Sequence, residues 1–235
     1  MCSDHALEAS HRRSWKIFEV TVDAANLTPQ FLTVALVPPP QPIRNQQSLR
    51  ELFAELSIKF QLDAFSKTPD GGALFSNPGL LRFVTISPPL RRVQFNVDTT
   101  ASRTLEEILA ILELAHQKFP VEQYLIFNAD MICHAPVTGE TAIDLVESKV
   151  FKNRAALDAL GVGRVASGVR AILKGTGQIV VIVEPLLADP GKLYVQIQEG
   201  VQGAFQLSDV RARMNAFLKF YDSQLKGFMT ALLEG

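Results

Sequence analysis

The sequence predicts an α+β fold: an antiparallel sheet built from repeated strand–strand–helix units, with helices packed on one face and a long C-terminal helix. Two observations predict it. Pairs of short β-rich segments are each followed by an amphipathic segment with helical spacing, and this order recurs along the chain. A strand pair with one helix cannot bury both of its apolar faces alone, so repeated units would share one sheet.

Composition limits the class of protein and its partners. The 235 residues are 47% apolar and 20% charged, which is ordinary for a globular protein. We expect a single α+β domain over residues 1–235, with a polar leader at residues 1–14. The formal net charge of −1 gives no global basic field, so nucleic acid is not an expected partner.

The same leader and the apolar runs bear on the compartment. The leader lacks the apolar core of a signal peptide, and no apolar run approaches the ~20 residues that a membrane span needs. We therefore expect a cytoplasmic protein that does not bind membranes. The two cysteines, Cys2 and Cys133, are too few for a disulfide framework.

The N-terminal segments come in the order of the repeated unit. Residues 15–22 and 30–37 are β-rich and short enough for strands. The stretch from Pro38 to Pro42 is expected to be extended, either as a rigid connector or as a docking segment for another protein. A helix over residues 48–60 follows, and residues 66–79 concentrate turn residues that indicate a boundary or a mobile surface loop.

Two capping boxes mark predicted helix starts. Ser48 with Glu51 opens the first helix, and Thr104 with Glu107 opens a second helix that Pro120 ends. The predicted strands and helices that complete the chain are strands at residues 80–86, 91–97 and 123–137, a helical segment at 141–160, strands at 164–173, 177–187 and 193–198, and a helix that begins at Ser208.

One phrase occurs twice in this order. "ISPPLRRVQFNV" spans residues 86–97 and "IVEPLLADPGKLYVQIQ" spans residues 182–198, and each precedes a capped amphipathic helix. Chance coincidence is the alternative, because strand–turn–strand–helix is a common arrangement. We interpret the echo as a sign of internal duplication, over about 80–120 and 178–233.

The end of the chain resembles a known family. "IVVIVEPLLADPGKLYVQIQ", followed by a polar loop and a long helix, is similar to the C-terminal third of a sporadically distributed, uncharacterised bacterial protein family. Members of that family carry a Glu-Pro-Leu-Leu-like turn before a final strand and helix. The family has no established activity, so the resemblance implies a fold and no chemistry.

Few residues form constellations typical of chemistry. Asp130, Cys133 and His134 occur together, but neighbours on a strand point to opposite faces, which favours a buried structural cysteine over a metal site or an activated thiol. With four histidines in the chain, no metal centre is expected, and no cofactor motif is present. Arg82, Arg91 and Arg92 are interpreted as a solvated face or a contact for a partner's carboxylate.

Glu184 is the most informative charged residue. It follows five apolar residues and is expected to be partly buried, where a carboxylate needs a partner. Arg170 and Arg164 on the preceding strand are candidates, and Arg170 is predicted to pair opposite Ile182. A structural ion pair is the main interpretation, and a ligand-binding set of Glu184, Arg170 and His116 is the alternative.

Two functions remain open from the sequence. The first is a non-enzymatic interaction or structural protein that self-associates as a homodimer through its C-terminal helix, because the apolar residues of that helix continue to the chain end. The second is a small-ligand-binding protein, or a hydrolase or transferase, with a pocket between helices and sheet. The sequence does not decide whether the protein is an enzyme.

Overall fold

The computed structural model describes residues 21–22, 26–43, 45–151 and 166–234. It confirms the α+β class. The strands are β1 (Thr21–Val22), β2 (Thr28–Val37), β3 (Ala64–Lys67), β4 (Ala73–Asn77), β5 (Arg82–Ser87), β6 (Leu90–Asn96), β7 (Tyr124–Thr138), β8 (Val169–Lys174), β9 (Gln178–Pro185) and β10 (Lys192–Phe205). The helices are α1 (Gln46–Phe60), α2 (Ala101–Lys118), α3 (Ala142–Val150), α4 (Leu207–Phe220) and α5 (Lys226–Glu234).

All the described strands belong to one antiparallel sheet. Its order is β3-β4-β5-β6-β2-β7-β10-β9-β8, and β1 pairs with the end of β7. The two long strands β2 and β7 meet in the middle, where Thr33 pairs with Asp130. After β2 come α1, the strands β3 to β6 and then α2; after β7 come α3, the strands β8 to β10 and then α4. In each half the last strand, β6 or β10, pairs with the long first strand, so the described elements have the same order in both halves.

The repeated phrases occupy matching places in this topology. In β6, Val93 pairs with Val34 on one side and Val84 on the other. In β10, Val195 pairs with Cys133 and Val183, and all six side chains are 0% exposed. The matching register supports internal duplication, which stays a prediction.

Alternation along each strand separates two faces of the sheet. The helix-covered face, which carries Val34, Cys133 and Val195, joins the apolar stripes of the helices in one continuous core. The opposite face, which carries Thr33, Asp130 and Gln198, is called the open face below. In the described residues no helix is both long and apolar enough to cross a membrane.

The helices begin earlier than the capping boxes predict. Asn45 caps α1, since its side chain accepts hydrogen bonds from the backbone N–H groups of Gln47 and Ser48 at 3.0 and 3.2 Å. Thr100 caps α2 in the same way, and Thr104 lies buried within the helix. A better cap one turn upstream takes over in both cases.

The predicted loop at residues 66–79 is wrong, because β3 and β4 form a hairpin there. The turn residues are confined to its tip, where the backbone N–H of Thr68 donates to the carbonyl of Gly72. Phe75 then packs against Phe53 and Phe65 in the helix-covered layer. The turn residues at the tip made the alternation of buried and exposed residues in the short strand β4 hard to recognise in the sequence.

Other predicted elements are confirmed within the described residues. The paired strands at residues 80–97 and the β-like segment at 123–137 are β5, β6 and β7, and the last three predicted strands are β8, β9 and β10. The strand at 15–22 is described only at Thr21–Val22, and the helix at 141–160 is described as far as Val150. The predicted helix ends early, because Phe151 after Val150 has an extended backbone. Residues 15–20 and 152–160 lie outside the described residues.

The C-terminal helix is present and its apolar stripe is covered by its own chain. α4 begins at Leu207 rather than Ser208 and passes through wider π-helical turns at Tyr221–Leu225 into α5. Met214, Leu225 and Met229 are at most 1% exposed. α5 contacts α3 and β1, so the apolar residues near the chain end do not require a second subunit for burial.

Candidate functional site

Polar side chains form rows across the middle of the open face. The pairing register places Gln94, Thr33, Asp130 and Gln198 side by side on β6, β2, β7 and β10. These four strands come from distant parts of the sequence. The strand pairing alone decides that these four side chains point to the same face of the sheet. The row therefore exists only in the folded sheet.

Asp130 is the positioned carboxylate of this row. Both of its oxygens accept from Nε2 of Gln196, at 2.9 and 3.1 Å. Burial raises the pKa of the Asp130 carboxyl, while Gln196 and Arg92 act in the opposite direction. A carboxylate with a raised pKa inside a concave site is a common mark of a functional residue.

A groove of about 780 Å³ lies over this row. Its polar lining includes Arg92, Asn128, Asp130, Gln178 and Gln198, and none of the described residues that line it is aromatic. Two glycines keep the strands close and the space above them free: a Cβ on Gly177 would lie 2.4 Å from the carbonyl oxygen of Gly200. A Cβ on Gly200 would lie 3.2 Å from Oδ1 of Asn128.

Glu184 and Arg170 lie on the open face, outside the groove. Arg170 pairs opposite Ile182, as predicted, and Glu184 is one diagonal step away. Both side chains are exposed, so the expected partial burial of Glu184 is wrong. The apolar run before it alternates between faces, and Val181 and Val183 take the buried positions. Arg164, the other predicted partner, lies outside the described residues.

His116 lies on the other side of the sheet, in the helix layer. Its Nδ1 is 3.4 Å from the Tyr124 hydroxyl, which also accepts from Nη1 of Arg91 at 3.1 Å. Burial lowers the pKa of His116, and the neighbouring Arg91 adds to this effect. The structure therefore places Glu184 and Arg170 as diagonal neighbours on the open face and separates both from His116.

The cluster Asp130, Cys133 and His134 divides between faces as the alternation predicts. Cys133 is 0% exposed on the helix-covered face, and burial raises the pKa of its thiol. Asp130 and His134 lie on the open face. In the described part of the chain, no group of three or more His, Cys, Asp or Glu side chains is placed to hold a metal ion.

The expected basic surface is wrong for two of its three arginines. Arg82 and Arg91 are buried, at 8% and 4% exposure, and only Arg92 lies on the open face. The signal was present in the sequence, because Arg91 shares its parity with Val93 and Phe95 along β6 and therefore shares their buried face. The three arginines do not form one surface.

A second cavity, of about 480 Å³, lies beside Arg91. It is called the proline cavity below, because its walls include Pro38, Pro42, Pro88 and Pro120. The stretch from Pro38 to Pro42 thus forms part of a cavity wall and leads into the cap of α1. The cavity lies where one end of the helix layer meets β5 and β6.

Comparison with known proteins adds little. No protein-family model and no curated protein matches the chain. Among solved structures, the chain is similar to "Methanococcus jannaschii TBP", with 11% sequence identity, a TM-score of 0.34, and coverage of 84% of this chain and 97% of that chain. A likeness of this degree supports no statement about function.

Proposed function

We propose that this chain is a non-enzymatic binding protein whose groove holds an extended, uncharged segment of a partner polypeptide. The observation that carries the proposal is the row of polar side chains that includes Asp130 and Gln198 in the groove, with the Asp130 carboxylate held by Gln196. A concave site with a few convergent polar groups is the usual form of a binding site.

The chemistry of the lining favours a peptide. Amide side chains such as Asn128, Gln178 and Gln198 offer both a donor and an acceptor, as each peptide group of an extended chain does. The described residues of the lining offer no aromatic platform for a sugar or a nucleobase. Among the described lining residues, the positive charge of Arg92 is balanced by Asp130, which does not favour a phosphate backbone.

Selection from a displayed library of uncharged peptides tests this proposal. Selected peptides should lose at least about tenfold in affinity, or ~1.4 kcal/mol, for Gly200→Val, which puts two methyl groups into the groove. Glu184→Gln, on the same face outside the groove, is the matched control and should bind as the native chain does. Selection of no peptide, or equal binding by Gly200→Val, would refute the proposal.

We further propose that the chain forms a homodimer, through β8 rather than through the C-terminal helix. β8 ends the described strand order, and it exposes 61% of Ile172 and 42% of Leu173. Two copies of β8 can pair antiparallel across a twofold axis, with Ala171 opposite Ala171 of the second copy. Arg170 of one copy then lies opposite Ile172 of the other, so no like charges oppose each other. Burial of the helix stripe within the chain removes the original reason for the helix interface.

Light scattering on three chains tests the dimer. The native chain should have the mass of a dimer, and Ile172→Lys should have that of a monomer. Leu187→Lys is the matched control, because Leu187 is 66% exposed but lies outside β8, and it should remain dimeric. A native monomer, or a dimer that survives Ile172→Lys, would refute an interface on β8.

A cytoplasmic location belongs to the same proposal. Its support is that Cys133 is a free, buried thiol, which is ordinary in a reducing compartment. Fractionation of cells that express the tagged chain tests the location, and recovery with membranes or in the medium would contradict it.

A further inference from the structure

Arg91 is a buried cation with incomplete partners. Its Nη1 donates to the Tyr124 hydroxyl at 3.1 Å, and its Nη2 donates to the carbonyl of Phe119. Its Nε is buried and has no hydrogen-bond partner among the described residues. Since a guanidinium carries five N–H donors, most of the donor capacity of Arg91 is unused by the protein.

Arg82 shows how the same fold treats a buried arginine that is satisfied. Its Nη2 lies 3.4 Å from Asp98 and 3.3 Å from Glu107, and its Nη1 donates to the Phe60 carbonyl at 3.2 Å. Arg91 forms no ion pair with any carboxylate of the described residues, and burial lowers its pKa. An unpaired buried charge is costly to folding, so a site that keeps one calls for an explanation.

The proline cavity gives that charge access to a ligand. Arg91 forms part of its wall, and most of the remaining wall is apolar. The apolar side chains that the argument uses are Pro38, Pro42, Ile43, Pro88, Pro120 and Val121. Such a wall favours a ligand with an apolar body, and the guanidinium favours one with an anionic head.

The second cation of the cavity wall, Lys118, is already engaged. Lys118 Nζ lies 3.4 Å from Glu51 and 3.2 Å from Glu55, so its charge is compensated. Asn45 uses its side chain to cap α1. The charge available to a ligand is therefore the single positive charge of Arg91, which matches a monoanion better than a phosphate dianion.

We propose that the proline cavity binds a small monocarboxylate with an apolar body, whose carboxylate pairs with Arg91. This site is on the helix-covered side of the sheet and is independent of the peptide groove. His116 contacts Tyr124, which in turn contacts Arg91, so the pKa of His116 responds to the charge at the site. This role in ligand binding differs from the one expected with Glu184 and Arg170.

Titration with hexanoate tests the proposal, with hexanol as its neutral analogue and inorganic phosphate as the dianion. We expect saturable hexanoate binding at one site and a rise in Tm, with at least about tenfold weaker binding of hexanol and phosphate. NMR titration of the histidines should show the pKa of His116 rising with hexanoate, because a carboxylate at Arg91 offsets the positive charge that depresses it. His116→Gln identifies the signal.

Two variants locate the site, and a third is the control. Arg91→Met removes the charge, and Ile43→Trp fills the cavity. Each substitution should reduce hexanoate binding at least about tenfold. Arg92 is the next residue in β6 and lies on the opposite face of the sheet. The Arg92→Met variant should bind hexanoate as the native chain does. Ile43→Trp keeps the test decisive if Arg91→Met does not fold.

Three results would overturn the proposal. The first is no saturable hexanoate binding by the native chain. The second is equal binding of hexanol, which would mean an apolar cavity without recognition of charge. The third is unchanged binding in Ile43→Trp or in folded Arg91→Met. None of these results bears on the peptide groove, whose lining residues are different.

Discussion

The hydroxyl of Tyr221 donates a hydrogen bond of 2.6 Å to the backbone carbonyl of Leu27 inside the core. It ties the π-helical turns of the C-terminal helix to the chain just before β2. Tyr221 is 5% exposed and Leu27 is 4% exposed, so water does not readily replace either partner.

Tyr221→Phe should therefore destabilise the protein by about 1–2 kcal/mol, because it leaves the Leu27 carbonyl without its partner while the ring still packs. Thermal unfolding should show a Tm lower by about 2–8 °C. Tyr194→Phe, on the open face and half-buried, is the control and should change the stability by less than about 0.5 kcal/mol. Equal stability of Tyr221→Phe and the native chain would contradict the contact.

Gly177 and Gly175 form a matched pair in the β8–β9 turn. A Cβ on Gly177 would lie 2.4 Å from the Gly200 carbonyl oxygen, whereas a Cβ on Gly175 would meet nothing closer than 3.6 Å. Gly177→Ala should therefore cost about 1–3 kcal/mol in unfolding free energy, and Gly175→Ala much less. Chemical denaturation of both variants measures the difference, and equal values would show that the strands do not approach this closely. Close approach of β10 is what requires a glycine at position 177.

Asp130→Asn should remove one pH-dependent penalty on the stability of the folded protein. The pKa of Asp130 is raised by burial, so the ionised carboxylate is penalised in the folded state. This penalty is full above the folded-state pKa and disappears as the pH falls below the unfolded value of about 3.9. The Tm of Asp130→Asn minus that of the native chain should therefore be more positive at neutral pH than near pH ~3.5. A difference that does not change with pH would contradict the raised pKa.

Cys133 should be inert in the folded protein. Burial excludes thiol reagents and raises the pKa of the thiol, so little thiolate forms. In a Cys2→Ser background, an aromatic disulfide reagent should label Cys133 only as the chain unfolds. The same chain in guanidinium chloride is the control and should be labelled completely. Rapid labelling of the native chain would contradict the burial of Cys133.

Met229→Ala tests whether the C-terminal helix is covered by its own chain. Met229 is 0% exposed, and its truncation should cost about 2–5 kcal/mol. Leu187→Ala, at a residue 66% exposed, should cost less than about 0.5 kcal/mol. The loss for Met229→Ala should not depend on protein concentration. A loss that grows on dilution would instead indicate a subunit interface at this helix.

Strand pairing was the most predictable part of the fold. The register of Arg170 opposite Ile182 follows from the position of the turn, because a short hairpin leaves a single pairing that keeps the alternation. Helix starts were less predictable: Ser48 and Thr104 match a capping pattern, yet Asn45 and Thr100 cap the helices. The resemblance of the C-terminal third to an uncharacterised bacterial family stays a prediction.

The candidate sites were less predictable than the strands. Asp130 was considered only with its sequence neighbours Cys133 and His134, whereas its partners in the sheet come from other strands. Gln196 is 66 residues away along the chain and holds both of its oxygens. Arg91 was grouped with Arg92, although a strand sends the two side chains to opposite faces. Patterns of neighbouring residues in the sequence do not show which residues of distant strands lie side by side in the sheet.

The sequence by itself determined the α+β class, the antiparallel pairing of the last strands and the apolar stripe of the C-terminal helix. These features depend on periodicity and turn chemistry, which act over a few residues. Only the tertiary structure decided that Glu184 is exposed, that Met229 is buried within its own chain, and that Arg91 lies buried with no carboxylate partner among the described residues. Burial and charge pairing depend on which distant segments meet, because residues far apart in sequence supply the neighbours that exclude water.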